Sequence, residues 1–211
     1  VQLGVLAGVG VRTVEVVRRP RVGVLVTGDE LVTEDRALRP GEIYESNRDM
    51  LLALLSTAGC EPIDLGIVGD DEDELRRRLT DAVERTDAII TSGGVSMGDA
   101  DPVKALLSSM ARTQWMQIAI RPAKPFLLSE FDGPRGTVPL FGLPGNPVSA
   151  LVSFELLVRP ALARLAGRSP ERASIAAIAD VDLRNDGGDG RTTYLRVTTA
   201  FGPDGRLHVR P

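Results

Sequence analysis

Val22-Gly-Val-Leu-Val-Thr27, running into Gly28-Asp29-Glu30-Leu31, is the stretch whose reading decides the fold. A short, unbroken run of β-branched and apolar residues lacks the in-out alternation of a half-solvated strand, so it reads as a strand buried on both faces. The polar loop up to Glu45 is followed by Ser46 or Asn47 as a helix cap, and Met50, Leu51, Leu54 and Leu55 share one helical face that closes at Gly59. A second strand is predicted at about Ile63 to Val68. A helix follows, started by the acids Asp70 to Asp73 and striped with Leu75, Leu79, Ala82 and Val83, and then a third strand at Ala88 to Thr91.

Beyond Gly93-Gly94 the pattern predicts a helix from about Pro102 to Met110, strands at Met116 to Ile120, Phe126 to Leu128 and Val138 to Phe141, and a helix over Pro147 to Leu165. Strand alternating with helix means an α/β fold, a mostly parallel sheet with helices on both faces. After Gly167, Ser169 and Pro170 the composition changes to alternating segments, Ser174 to Leu183 and Thr192 to Phe201, around a glycine-rich turn at Asp186 to Gly190. The expected organisation is therefore a lead-in over residues 1–20 with a strand-like Thr13 to Val17, an α/β domain over 21–168, and a small C-terminal all-β domain over 169–211. The first residue is Val1 and the last Pro211 follows a strand-like stretch, so the chain is expected to be part of something longer.

With 211 residues and 43% hydrophobic content the chain can bury a full-sized core. A net charge of -4 and a pI near 5.2 argue against nucleic acid as a partner. The Arg76-Arg77-Arg78 run sits among Asp73, Glu74 and Asp81 and reads as a solvated helix face. No apolar run is long enough to span a bilayer and no leader pattern opens the chain, so neither a membrane nor export is expected and cytoplasm is the default. Cys60 has no second cysteine to pair with and no basic neighbour in sequence, which makes it a packing residue. His208, Trp115 and Met116 read as packing or surface groups.

In an open parallel sheet, ligands collect at the carboxyl ends of the strands, so the loops just after each strand are the candidates for chemistry. Thr27-Gly28-Asp29-Glu30 puts two acids after a tight turn, and Gly69-Asp70-Asp71 puts acids at the neighbouring strand end. Asp29, Glu30, Asp70 and Asp71 are oxygen donors suited to Mg²⁺, although each group is also explained as turn acids or as a helix start. In Ser92-Gly93-Gly94-Val95-Ser96-Met97-Gly98-Asp99-Ala100-Asp101 the glycines let backbone approach a ligand, and amides with serine hydroxyls can cradle an oxyanion. In Gly142-Leu-Pro-Gly145-Asn146-Pro147-Val-Ser149, Asn146 and Pro147 make a good helix start, and Gly145 leaves amides open to a phosphate or similar oxyanion. Arg121 and Lys124 add positive charge near a strand end, either for a substrate anion or as ordinary surface cations.

Four motifs in order, Thr-Gly-Asp-Glu-Leu at 27–31, Ser-Gly-Gly-Val-Ser-Met-Gly-Asp at 92–99, Arg-Pro-Ala-Lys-Pro-Phe at 121–126 and Gly-Leu-Pro-Gly-Asn-Pro-Val-Ser at 142–149, resemble the molybdopterin molybdenumtransferases, the MoeA and gephyrin family. Gly41 to Asn47 and Leu65 to Asp71 are further matches, and the likeness extends from about residue 1 to 201. It implies a molybdopterin-binding, MogA-like domain in a homodimer, with a β domain after it and two further domains before it. The implied reaction takes adenylyl-molybdopterin and molybdate to molybdenum cofactor and AMP, with Mg²⁺. Glu30, Asp70 and Asp101 would be the functional acids, with Lys124 a cation on the anionic substrate. Thr27, Gly28, Ser92, Gly93, Gly94, Ser96, Gly98, Arg121, Gly145, Asn146 and Ser149 would line the substrate site. Gln117 stands where the family carries a lysine, which removes a charge, and Arg121 stands where lysine is common.

The molybdopterin adenylyltransferase of the preceding step, MogA-type, is the implied functional partner and also the nearest alternative reading. The Ser92 loop differs from the Gly-Gly-Thr-Gly turn expected there, and no trailing β domain is expected. A gephyrin-like scaffold module is a third reading, one that would use surfaces rather than strand-end acids.

Overall fold

The structure is a computed structural model that describes residues 2–69, 71–94, 102–171, 174–183 and 190–211. In chain order it contains α1 (Gln2–Gly8), β1 (Arg21–Thr27), β2 (Leu31–Val32), β3 (Ile43–Tyr44), α2 (Asn47–Thr57), β4 (Glu61–Val68), α3 (Glu72–Arg85), β5 (Ala88–Ser92), α4 (Pro102–Met110), β6 (Arg112–Gln117), β7 (Ile120–Arg121), β8 (Pro125–Gly133) and β9 (Gly136–Leu143). Then come α5 (Pro147–Ser153), a π-helical turn (Phe154–Val158), α6 (Arg159–Leu165), β10 (Ile178–Ala179), β11 (Thr192–Thr193), β12 (Thr198–Phe201) and β13 (Leu207–Arg210).

Six strands form one sheet in the order β4-β1-β5-β9-β8-β6. β4, β1, β5 and β9 run parallel to one another, and β8 alone runs against both β9 and β6. As a result, the carboxyl ends of β1, β4, β5, β9 and β6 and the amino end of β8 share one edge of the sheet. Gln117, for example, pairs with Pro125.

Alternate residues along the strands feed two separate cores, as the period of two requires. Val24, Val26, Ile90, Phe126 and Phe141 pack with Leu51 and Leu55 of α2 and with Phe154, Val158 and Leu162 of the last helix. Leu25, Ile89, Leu127 and Leu140 face the other way, onto Leu75, Leu79 and Ala82 of α3 and Leu106 and Leu107 of α4. The central strand β1 is buried throughout except at its first residue. Helices therefore cover both faces, as the sequence pattern predicts. No helix among the described residues is long and apolar enough to cross a membrane.

Several elements differ from expectation: the Phe126 to Leu128 strand extends over Pro125–Gly133, the Thr192 to Phe201 segment splits into β11 and β12, and three further segments depart from the pattern. Thr13 to Val17 form no strand and join no ladder, and Val14, Val16 and Val17 are exposed. The segment is tied down by Arg18, whose guanidinium donates twice to Asp87, and by Val17 against Gly167. The strand expected at Met116 to Ile120 begins at Arg112, drawn in by antiparallel pairing with the long β8, and ends at a tight turn where Ile120 N donates to Ile118 O at 2.8 Å. The last helix widens into a π turn just before Pro160, which has no N–H to donate and crowds the carbonyl four residues back.

The C-terminal segment builds a three-stranded sheet, β10-β13-β12. It also reaches back to the α/β unit, where Thr192 and Thr193 of β11 pair with Ile120 and Arg121 of β7.

Candidate functional site

At the common edge, Gly93 lets the tips of β1 and β5 close on one another. Gly93 has φ 92°, and a Cβ there would collide with the carbonyl oxygen of Thr27. No other residue fits that close approach. Gly93 N donates to Leu143 O at 3.3 Å and Gly28 N to Val68 O at 3.2 Å, so each loop is tied to the next strand.

These tips surround a cavity of about 350 Å³ whose wall includes Thr27, Glu30, Asn47, Ser92, Gly93 and Gly145, with Asn146 at its margin. Its flank is the short β2–β3 ribbon carrying Leu31, Ile43 and Tyr44. The ribbon is braced by the loop behind it. Arg36 donates to both carboxylate oxygens of Glu42, at 2.7 and 2.8 Å, Arg39 N adds a third bond, and Tyr44 Oη donates to Arg36 O. The hydrogen bonds from Arg36, followed by that from Arg39 N, hold the Glu42 carboxyl at about 2.

The sequence reading placed Thr27, Gly28, Glu30, Ser92, Gly93, Gly94, Gly145 and Asn146 at strand tips, and the structure brings Thr27, Glu30, Ser92, Gly93, Gly145 and Asn146 into one cavity wall. Gly28 and Gly94 sit in the same turns with φ of 148° and 62°. Asp29 points its carboxylate onto Gly69, so the loop after β1 lays an acid against the β4 tip. Asp71 has another job. It is the N-cap of α3, and its Oδ1 accepts from Glu74 N at 3.0 Å. Asn146 likewise caps α5, accepting from the amides of Val148 and Ser149 at 3.1 Å each. Asp70, Ser96, Gly98 and Asp101 lie outside the described residues.

Arg121, Lys124 and Ser149 stand apart from the cavity wall. Arg121 lies in β7, whose backbone turns toward β11, and Lys124 is exposed just before β8. The segment between them carries a cis Arg121–Pro122 bond and Ala123 at φ 78°. Ser149 is half-buried in the first turn of α5.

Sequence reasoning missed Asn47 as a site residue, reading it or Ser46 as a helix cap. Ser46 makes no side-chain cap bond, while Asn47, 6% exposed, donates from Nδ2 to Ser92 Oγ at 2.8 Å and to Gly145 O at 2.7 Å. It thus fastens the β5 and β9 loops to the start of α2.

Among the described residues no three acids, histidines or cysteines gather as a metal cage. Asp29 and Glu30 are still hard oxygen donors, adjacent in the loop after β1, of the kind Mg²⁺ takes, whereas Asp71 is turned to its cap. A larger hollow, about 530 Å³, lies in the C-terminal sheet beside Asp180 and His208. Asp180 there is taken up by His208 and Arg210, and the hollow is not at the strand tips of the main sheet.

A family model described as "Probable molybdopterin binding domain" matches residues 23–164. The chain belongs to that family. This molybdopterin-binding domain is 39% identical over 212 residues to the molybdopterin molybdenumtransferase of Haemophilus influenzae, a match that takes in all of this chain and 51% of the relative. The molybdopterin biosynthesis MoeA protein of Pyrococcus horikoshii superposes with a TM-score of 0.73 at 25% identity, covering 99% of this chain and 48% of that one. The tungsten cofactor synthesizing protein MoaB of Pyrococcus furiosus shares the fold, with a TM-score of 0.53 at 18% identity over 70% of this chain and 95% of its own. The chain spans about half the length of the curated relatives it matches.

Proposed function

We propose that the chain is the catalytic-core half of a molybdopterin molybdenumtransferase, which inserts molybdate into adenylyl-molybdopterin with release of AMP. The observation that carries this reading is the convergence of Thr27, Glu30, Ser92 and Gly145, from separate strand tips, on one cavity within a molybdopterin-binding fold.

In this reading Ser92 with the amides of Gly93 and Gly94 binds the substrate, Glu30 with Asp29 supplies carboxylates beside it, and Asp70 and Asp101 are the further functional acids that the family resemblance implies. Mg²⁺ would be held there by Glu30, Asp29 and Asp70, and when bound it neutralises phosphate oxygens of the substrate. Arg121 and Lys124 supply positive charge from the neighbouring β7–β8 segment, outside the cavity wall. Positioning of molybdate against the pterin dithiolate is the main task of the protein. The working assembly is a cytoplasmic homodimer that receives its substrate from a MogA-type adenylyltransferase. Residues 21–168 act as the α/β domain and 169–211 as the β domain.

Turnover of adenylyl-molybdopterin and molybdate, followed as AMP release, tests the activity. A longer protein carrying the same core is expected to turn over with Mg²⁺, and the present chain alone to be weak or inactive. ATP-dependent adenylylation of molybdopterin by this chain would replace the reading with that of the preceding step.

A further inference from the structure

We infer that Arg36 and Glu42, which stand outside the cavity, are positioning residues for Glu30, the acid on its wall. The inference rests on the proposed function for the role of Glu30, and on the structure for everything that holds Glu30 in place.

The carboxylate of Glu30 folds back over Gly28, where a Cβ would lie 2.5 Å from Glu30 Oε2 and 2.8 Å from its Cδ. Glu30 is exposed, so its side chain is placed mainly by how its backbone is held. Two hydrogen bonds do this. Leu31 N donates to Gly28 O at a long 3.4 Å, and Ile43 N donates to Glu30 O at 2.8 Å. The shorter bond comes from the β2–β3 ribbon, so Glu30 is only as well fixed as β3.

β3 has little of its own to hold it. Each strand of the ribbon has two residues, and Ile43 and Tyr44 are both 53% exposed, so apolar burial does not pin β3 down. A two-stranded ribbon is at best marginally stable by itself. The loop between the strands supplies the rest. Within residues 33–42 only Arg36 and Glu42 are half-buried. Arg36 donates to both carboxylate oxygens of Glu42, and Arg39 N donates to the same carboxylate at 2.6 Å. On the other side of Ile43, Tyr44 Oη donates to Arg36 O at 2.6 Å. Ile43 is thus bracketed by two residues that are both tied to Arg36, one to its guanidinium and one to its carbonyl. The paired guanidinium bonds set orientation as well as distance. None of these residues belongs to either hydrophobic core, and so exposed an ion pair adds little to global stability. Loosening the brace therefore frees Glu30 without unfolding the domain.

The test is amide hydrogen exchange of the 211-residue chain in the wild type, Glu42→Ala, Glu42→Gln and Arg76→Ala, the last breaking the Arg76–Glu72 pair on α3. Protection of the Ile43 amide is expected to fall about tenfold in Glu42→Ala. It should be largely restored in Glu42→Gln, which keeps an acceptor for Arg36 and Arg39 N, and be unchanged in Arg76→Ala, with one Tm throughout. The Glu30 carboxyl ¹³C resonance, assigned with Glu30→Gln, should move in Glu42→Ala and not in Arg76→Ala. In a longer protein carrying the same core, Glu42→Ala should lower kcat about tenfold and leave KM within about twofold. The inference is overturned if Glu42→Ala leaves Ile43 protection or the Glu30 resonance as in the wild type, or if Arg76→Ala has the same effects. Turnover separates the two readings. If Glu30→Gln leaves it untouched, the proposed role of Glu30 fails; if Glu30→Gln slows it and Glu42→Ala does not, this inference alone fails.

Discussion

The carbonyl oxygen of Thr27 packs directly against the Cα of Gly93, leaving no room for a side chain between the β1 and β5 tips. Gly93 also holds φ 92°, where an L residue is strained. Gly93→Ala is expected to destabilise the fold by about 2 kcal/mol or more, measured by urea unfolding, and to weaken every ligand of the cavity. Gly41 and Gly205 share a positive φ but have open space around them, so alanine there costs only the backbone strain. Equal losses at Gly93 and Gly41 would show that close approach is not what matters.

Asp71 and Glu30 are both acids at strand ends, but they are expected to respond differently to substitution. Asp71→Ala should cost about 1 kcal/mol as a lost helix cap, and Asp71→Ser should restore stability and leave turnover intact. Glu30→Gln should leave the unfolding curve in place and lower turnover of a longer protein on the order of 100-fold. Loss of activity in Asp71→Ser would return Asp71 to the acidic site.

The lone histidine gives the C-terminal sheet a pH dependence. His208 Nδ1 meets Asp180 Oδ1 at 2.5 Å and its Nε2 meets Asp204 Oδ1 at 3.1 Å, while Arg210 Nε donates to Asp180 Oδ2 at 2.7 Å. Hydrogen bonding to Asp180, then to Asp204, raises His208 above its ordinary 6.5. Hydrogen bonds from His208, then Arg210, lower Asp180 below 3.8. The histidine contribution is complete below its unfolded value and is lost as pH rises through the raised one. That of Asp180 is complete above 3.8 and is lost as pH falls through the depressed value. The clamp is therefore strongest between the two ordinary values. An NMR titration of His208 should give a midpoint above 6.5 that returns toward it in Asp180→Asn; an unchanged midpoint would break the assignment.

Cys60 is 3% exposed beneath α2, and burial pushes its thiol up, outweighing the opposing pull of Arg168 and Arg159. A disulfide reagent should label it only after unfolding. Rapid labelling of the native chain at neutral pH would contradict the packing.

The alternation of Val22 to Thr27 with the Leu51, Leu55 and Leu75, Leu79 helical stripes made the layered sheet legible, because period and length are local properties of the chain. The glycine turns were legible for the same reason, and they led to Thr27, Glu30, Ser92 and Gly145. Asn47 was read only as a cap because its partners lie 45 and 98 residues away, a relation no local pattern records. Arg121 and Lys124 were read as site cations from their nearness to a strand end; in the fold Arg121 pairs with β11 and neither residue is among those lining the cavity. Thr13 to Val17 had strand composition without a strand partner.

The sequence by itself determined the apolar faces of the main helices, the buried β1 strand, and that glycine-rich turns with acids follow the parallel strands. Side-chain period, backbone freedom and charge are written residue by residue. Only the tertiary structure decided which tips become neighbours, that Asp71 and Asn146 spend their oxygens on helix amides, and that Asn47 ties the β5 and β9 loops together. Hydrogen-bond satisfaction is a property of assembled groups, and it can be counted only once distant parts of the chain have met.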